Sequence, residues 1–148
     1  MSLPGTIYHH PRLVFHNGAT GKKYLILLNE PQKEDPFLFV KTTSQKKNRP
    51  ETPGCIRPQS LFFVPARKTF FVLDTWVQLY QIYPILPQAI KGSPDIQIAG
   101  ALNSKITQAI VGCLFESEEE NLSPIIINLL RPPMHDALLR LKEKFSKK

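Results

Sequence analysis

The chain has 148 residues, of which 42% are hydrophobic and 21% charged, with a formal net charge of +7 and a pI near 9.5. That length and balance fit one globular domain able to bury a core and exclude a disordered chain. The surplus of cations speaks for a polyanionic partner and says nothing about fold.

Fourteen prolines are nearly twice the usual share of about 5%. Proline is barred from central strands and helix interiors, so the connections must be many and rigid. No apolar run approaches the roughly 18 residues of a membrane span, and no charged start leads into an apolar stretch with a cleavage site. Cys55 and Cys113 lie far apart with no CxxC. They read as reduced intracellular thiols, a disulfide being open but unsupported, which makes a cytoplasmic location the expectation.

In chain order, Thr6-Ile7-Tyr8 follows Pro4-Gly5 as a brief strand signal and Leu13-Val14-Phe15 is another. Asn17-Gly18 is a tight-turn dipeptide, because both residues tolerate positive φ. Gly21 introduces Lys22-Lys23-Tyr24 and the apolar run Leu25 to Leu28, which ends at Asn29-Glu30-Pro31 and predicts a buried strand. A second strand, Phe37 to Val40, runs into Lys41-Thr42-Thr43-Ser44-Gln45. The segment between them is enough for a hairpin loop and too short for a crossover helix. The pair should be antiparallel, with Lys22 and Lys23 close to Thr42 and Thr43 at one sheet end.

Residues 45–60 form a polar, proline-bearing stretch with Lys46, Lys47, Arg49 and Arg57, readable as a binding loop or as a surface insertion. Leu61 to Val64, Phe70 to Leu73 and Thr75 to Ile82 are further strand candidates. Six or seven short strands favour a small, strongly bent sheet or barrel. After Pro87 the pattern turns helical. Asn103 or Ser104 can cap a helix with Ile106, Ala109, Ile110, Cys113 and Leu114 on one face. Ser117 to Glu120 has the form of a capping box, and Ser123-Pro124 opens a short apolar helix over residues 125–130. Pro132-Pro133 starts a last helix with Met134, Ala137, Leu138, Leu141 and Phe145 on one face. Strands first and helices last predict an α+β fold in a single domain. Its β part is 1–86; a helical part, 87–148, packs on it or covers a dimer interface.

Adjacent His9 and His10 point to opposite faces of a strand, and no spaced Cys/His/Asp/Glu set of the zinc type occurs, so no metal is expected. No GxGxxG, Walker loop, GxSxG or HExxH is present, and no cofactor is expected. What remains is Lys22, Lys23, Thr42, Thr43, Ser44, Gln45 and Asp74. Cations can offset phosphate charge while a carboxylate takes a 2′-hydroxyl proton. Spacing alone favours a plainer reading, in which the hydroxyls end a strand and Lys23 snorkels.

The order Pro4-Gly5-Thr6-Ile7-Tyr8, Gly21-Lys22-Lys23-Tyr24 through Asn29, Val40-Lys41-Thr42-Thr43-Ser44-Gln45 and Leu73-Asp74-Thr75-Trp76-Val77 resembles the MazF/PemK (Kid) toxin family. Gly100-Ala101-Leu102 through Ala109-Ile110 matches a further pattern near that family's C-terminus. The resemblance spans residues 4 to about 115 in short motifs. It implies an SH3-like barrel with helices, usually a homodimer, that cleaves single-stranded RNA without a metal and is held in check by a cognate antitoxin. Carried over by position, Lys23 stands at the family's catalytic arginine, Thr42 at a catalytic threonine and Asp74 at an acid/base carboxylate. Lys22, Thr43, Ser44, Gln45, Lys46, Lys47 and Arg49 would contact RNA. The departures are Lys23 for arginine, which keeps charge but loses the bidentate fork, Tyr24 for proline, Thr75 for glutamine and Val72 for an arginine. The alternative is a non-catalytic SH3-like adaptor for protein or nucleic acid, which exposed aromatics such as Phe62, Phe71, Trp76 and Tyr80 lining a groove would favour and their burial would not.

Overall fold

Apolar side chains on both sides of the central strands decide the sheet. Ile7, Ile26, Val40 and Val77 belong to one buried cluster, and Tyr8, Leu25, Leu27 and Phe39 to another. Each neighbouring pair in the sequence therefore serves opposite faces, which is why Leu25 to Leu28 is a continuous apolar run instead of an alternating one. The computed structural model describes residues 3–130. Its strands are β1 (Thr6–Val14), β2 (Thr20–Leu27), β3 (Phe37–Thr43), β4 (Gly54–Ile56), β5 (Leu61–Val64), β6 (Thr75–Ile85) and β7 (Gln97–Ala101). The helices are α1 (Pro87–Lys91), α2 (Ser104–Glu118) and α3 (Pro124–Leu130). The strands form one sheet in the order β4-β5-β6-β3-β2-β1-β7, with every pair antiparallel. The fold is α+β, and the sheet is open: β4 and β7 are its edges and do not pair with each other.

The β2–β3 hairpin has the expected antiparallel sense. Buried Asn29 closes its loop, accepting from Leu38 N at 2.9 Å and donating to Pro36 O at 3.0 Å. Gly5 enters β1 at φ +95°, where a Cβ would collide with the Thr107 hydroxyl and the Leu102 carbonyl. That close approach lets β1 pass under the start of α2. The α2 N-cap is Asn103, whose Oδ1 accepts from Ile106 N at 2.8 Å, and the α3 cap is Ser123, whose Oγ accepts from Ile126 N at 3.2 Å. Both caps agree with the sequence signals.

Five expectations need correcting. Residues 97–101, assigned to the helical part, form β7 and pair with β1. Phe70 to Leu73 is not a strand; it lies in the loop between β5 and β6. The buried face of α2 is Thr107, Ile110, Cys113 and Leu114, while Ala109 is exposed. Thr107 can be buried because its hydroxyl donates to Asn103 O at 2.8 Å, satisfying the polar atom within the helix. The capping-box residue Ser117 lies inside α2, which continues to Glu118 before a turn at Glu119–Asn121. The helix expected from Pro132 falls outside the described residues.

The cysteines are the fifth correction. Cys55 of β4 and Cys113 of α2 form a disulfide, with Cα atoms 5.4 Å apart across 58 residues of sequence. The argument from reduced thiols to a cytoplasmic location falls with it, since disulfides persist mainly in oxidising surroundings. Among the described residues no helix is long and apolar enough to cross a membrane. The bridge ties the shortest edge strand to the helix covering the sheet. Its loss, by Cys55→Ser with Cys113→Ser, should cost about 4 kcal/mol in the loop-closure treatment. Thermal unfolding with and without reductant checks this; an unchanged midpoint would show that β4 is held by other contacts.

Candidate functional site

Strand register places the polar residues at the sheet end. Leu25 pairs with Lys41, so the next positions set Tyr24 beside Thr42 and Lys23 beside Thr43. Opposed residues in an antiparallel pair share a face. Tyr24, Thr42 and Lys22 thus belong to the face that α2 covers farther along, while Lys23, Lys41 and Thr43 belong to the other. Thr42 is locked in place, its hydroxyl donating to Tyr24 O at 3.0 Å.

On the Thr42 side the sheet end opens into a cleft of about 520 Å³. His9, Tyr24, Thr42 and Thr75 line it from four strands, and residues 70–73 from the β5–β6 loop. Lys22, Lys23 and residues 43–45 complete it at the strand ends. The Tyr24 ring meets His9, Phe70 and Phe71 at centroid distances of 5.4, 5.3 and 6.1 Å, all steeply inclined. Phe70 in turn packs on Gly100 of β7, where a Cβ would come within 2.5 Å of its ring. The loop is closed by Asp74, whose Oδ1 accepts from Ala66 N at 2.8 Å, and by Arg67 N donating to Phe71 O at 3.0 Å.

On the opposite face a cationic seam separates two apolar clusters. The Lys23 and Lys41 ammonium groups both lie over the Phe15 ring, 5.9 and 5.4 Å from its centroid. Lys41 also donates to Gln78 Oε1 at 3.1 Å, and Gln78 Nε2 donates to the Tyr80 hydroxyl at 2.7 Å. Burial lowers the pKa of Lys23, with Arg49 and Lys47 adding to the effect. Burial likewise lowers that of Lys41, followed by Lys23 and Arg49. Arg49 is fixed by its guanidinium donating to Gln45 O at 2.7 Å, and the loop that carries it is pinned where Trp76 Nε1 donates to Pro50 O at 2.7 Å. Positive charge from the 44–53 loop therefore bears on Lys23 of β2 and Lys41 of β3. Among the described residues the ion pair within 4.0 Å is Lys46–Glu51, at 3.1 Å, and it involves none of Lys23, Lys41, Lys47 and Arg49.

The expected site residues divide accordingly. Lys22, Lys23, Thr42, Thr43, Ser44 and Gln45 all line the cleft, but alternation turns the Lys23 and Thr42 side chains to opposite faces. Asp74 does not join them; its neighbours Leu73 and Thr75 line the cleft while its carboxylate serves the loop. Lys47 and Arg49 join the cationic seam, and Lys46 is turned to Glu51. Lys41, Phe15, Gln78, Tyr24, His9 and Phe70 are the contributors that sequence reasoning passed over. Two-residue spacing from Phe39 through Lys41 to Thr43 is the signal that would have placed Lys41 beside Lys23. His10, opposite Lys23, has a pKa lowered by burial and then by His9. Among the described residues no group of three or more His, Cys, Asp or Glu side chains is placed to hold a metal.

No family model matches the chain, and none of the curated proteins matches it.

Proposed function

We propose that this protein binds single-stranded RNA at the β2–β3 sheet end, as a PemK/MazF-like protein of toxin–antitoxin type or a descendant of one. In this reading the sheet is an SH3-like barrel left open between β4 and β7, and a cognate antitoxin or a second copy of the chain covers the same surface. The observation that carries it is the gathering of Lys23, Lys41, Lys47 and Arg49 without an acidic partner among the described residues. Like charges drawn together on a sheet raise the free energy of the empty site, and a phosphodiester strand relieves that repulsion while releasing counterions. Four such contacts give a logarithmic salt slope of about −3 on single strands. Binding of a labelled oligoribonucleotide across a salt series tests this; salt-independent binding, or none, would overturn it.

Binding is better supported than cutting. Cleavage needs an ammonium, a hydroxyl and a base at one phosphate, and Asp74 does not line the cleft, its Oδ1 accepting instead from Ala66 N in the neighbouring loop. Asp74→Asn keeps an oxygen acceptor for that amide while removing the base. In the toxin reading proper, the variant stops RNA cleavage and growth arrest; in the binding reading, neither affinity nor thermal midpoint changes. The adaptor reading fares worse by its own criterion: Phe62, Phe71 and Trp76 are buried, and of its four aromatics Tyr80 alone is exposed.

A further inference from the structure

The cleft on the Thr42 side is chemically unlike the cationic seam. Its interior is aromatic and hydroxyl-bearing, with Tyr24 40% exposed in a plane fixed by three neighbouring rings. The donor hydrogens of Thr42 and Thr75 are committed to the carbonyls of Tyr24 and Leu73, at 3.0 and 2.9 Å. Their oxygens remain acceptors. Among the described residues no carboxylate lines the cleft, and Lys22 and Lys23 stand at its edge. An aromatic cage with cations beside it repels a cationic ligand such as a methylated ammonium and suits a flat, electron-rich ring attached to a phosphate. At about 520 Å³ it has room for one base and its sugar.

We propose that this cleft takes one unstacked nucleobase of the bound RNA against Tyr24, while the flanking phosphates cross the sheet end from Lys22 to the Lys23–Lys41 seam. This rests on the RNA-binding reading and adds to it a base subsite on the opposite face from the seam. Pre-fixing the Tyr24 ring removes the ordering cost that a mobile platform would carry. Stacking is tolerant of sequence, so the subsite selects single strands over duplexes before it selects a base.

The experiment compares three probes on the full chain: an oligoribonucleotide, the same oligonucleotide made abasic, and a nucleoside monophosphate. The variants are Tyr24→Leu and Lys41→Gln. The abasic strand should bind the parent protein about tenfold or more weakly, the usual worth of a stacked base. Tyr24→Leu should bring the intact strand down to the abasic level with the salt slope unchanged. Lys41→Gln should flatten the salt slope and keep the intact-to-abasic ratio. An abasic strand that binds as tightly as the intact one, with the steep salt slope retained, would sink the base subsite and leave the RNA reading standing. If no RNA binds, the nucleoside monophosphate decides: binding that depends on Tyr24 supports the subsite, and no binding overturns it together with the RNA reading.

Discussion

Replacing Lys23 and Lys41 together by glutamine should lower affinity for single-stranded RNA about 100-fold, roughly tenfold for each charge-assisted contact removed. The logarithmic salt slope should become shallower by about 1.4, the share of two phosphate contacts on a single strand. Neither effect is a folding defect. Both ammonium groups are partly exposed and destabilise each other, so the thermal midpoint should hold or rise slightly. The pH dependence follows from the same geometry. Each lysine has its pKa lowered from the ordinary 10.5 by burial and by neighbouring cations. Affinity should be flat near neutrality and fall as pH rises through those lowered values, because the neutral amine no longer offsets a phosphate. Bound RNA favours the charged forms, so binding on that alkaline limb takes up protons. Lys23→Arg with Lys41→Arg should hold affinity to higher pH, since guanidinium does not deprotonate there. A Lys→Gln double variant that binds as the parent does would remove these two side chains from the interface.

Trp76→Ala should lower stability by about 3–5 kcal/mol, the usual cost of emptying a large aromatic site. Trp76 is 1% exposed, its ring centroid lies 4.9 Å from that of Phe63, and it belongs to a small cluster with Ile56 and Leu61. In a chain of this size that loss corresponds to about 6–20 °C in Tm. Trp76→Phe separates packing from tethering. It refills most of the volume but removes the N–H that holds Pro50 O, so about 1 kcal/mol is lost. The 44–53 loop should then exchange its amide hydrogens faster, and RNA affinity should fall through the less ordered Lys47 and Arg49. Unaltered exchange in that loop would show that the Pro50 contact does not order it.

Sequence by itself determined the central hairpin, its antiparallel sense, the two helix caps and the α+β class. These depend on local chemistry: apolar runs, turn residues and side chains that bond to neighbouring amides. It also located the stretch where cations and hydroxyls end up together, because a short loop leaves β2 and β3 no other pairing. Tertiary structure alone decided which side each of those residues serves. The register of Leu25 on Lys41 sends Lys23 to one face and Thr42 to the other, and one residue of slip would put both on the same face. Only folding could turn Phe70 to Leu73 from an apparent strand into the wall of a cleft, since the Asp74–Ala66 clamp and the Gly100 contact come from chain partners 8 and 30 positions from Asp74 and Phe70. The Cys55–Cys113 bridge is of the same kind: its 58-residue separation carries no local signal, and it forms because α2 lies against the β4 edge.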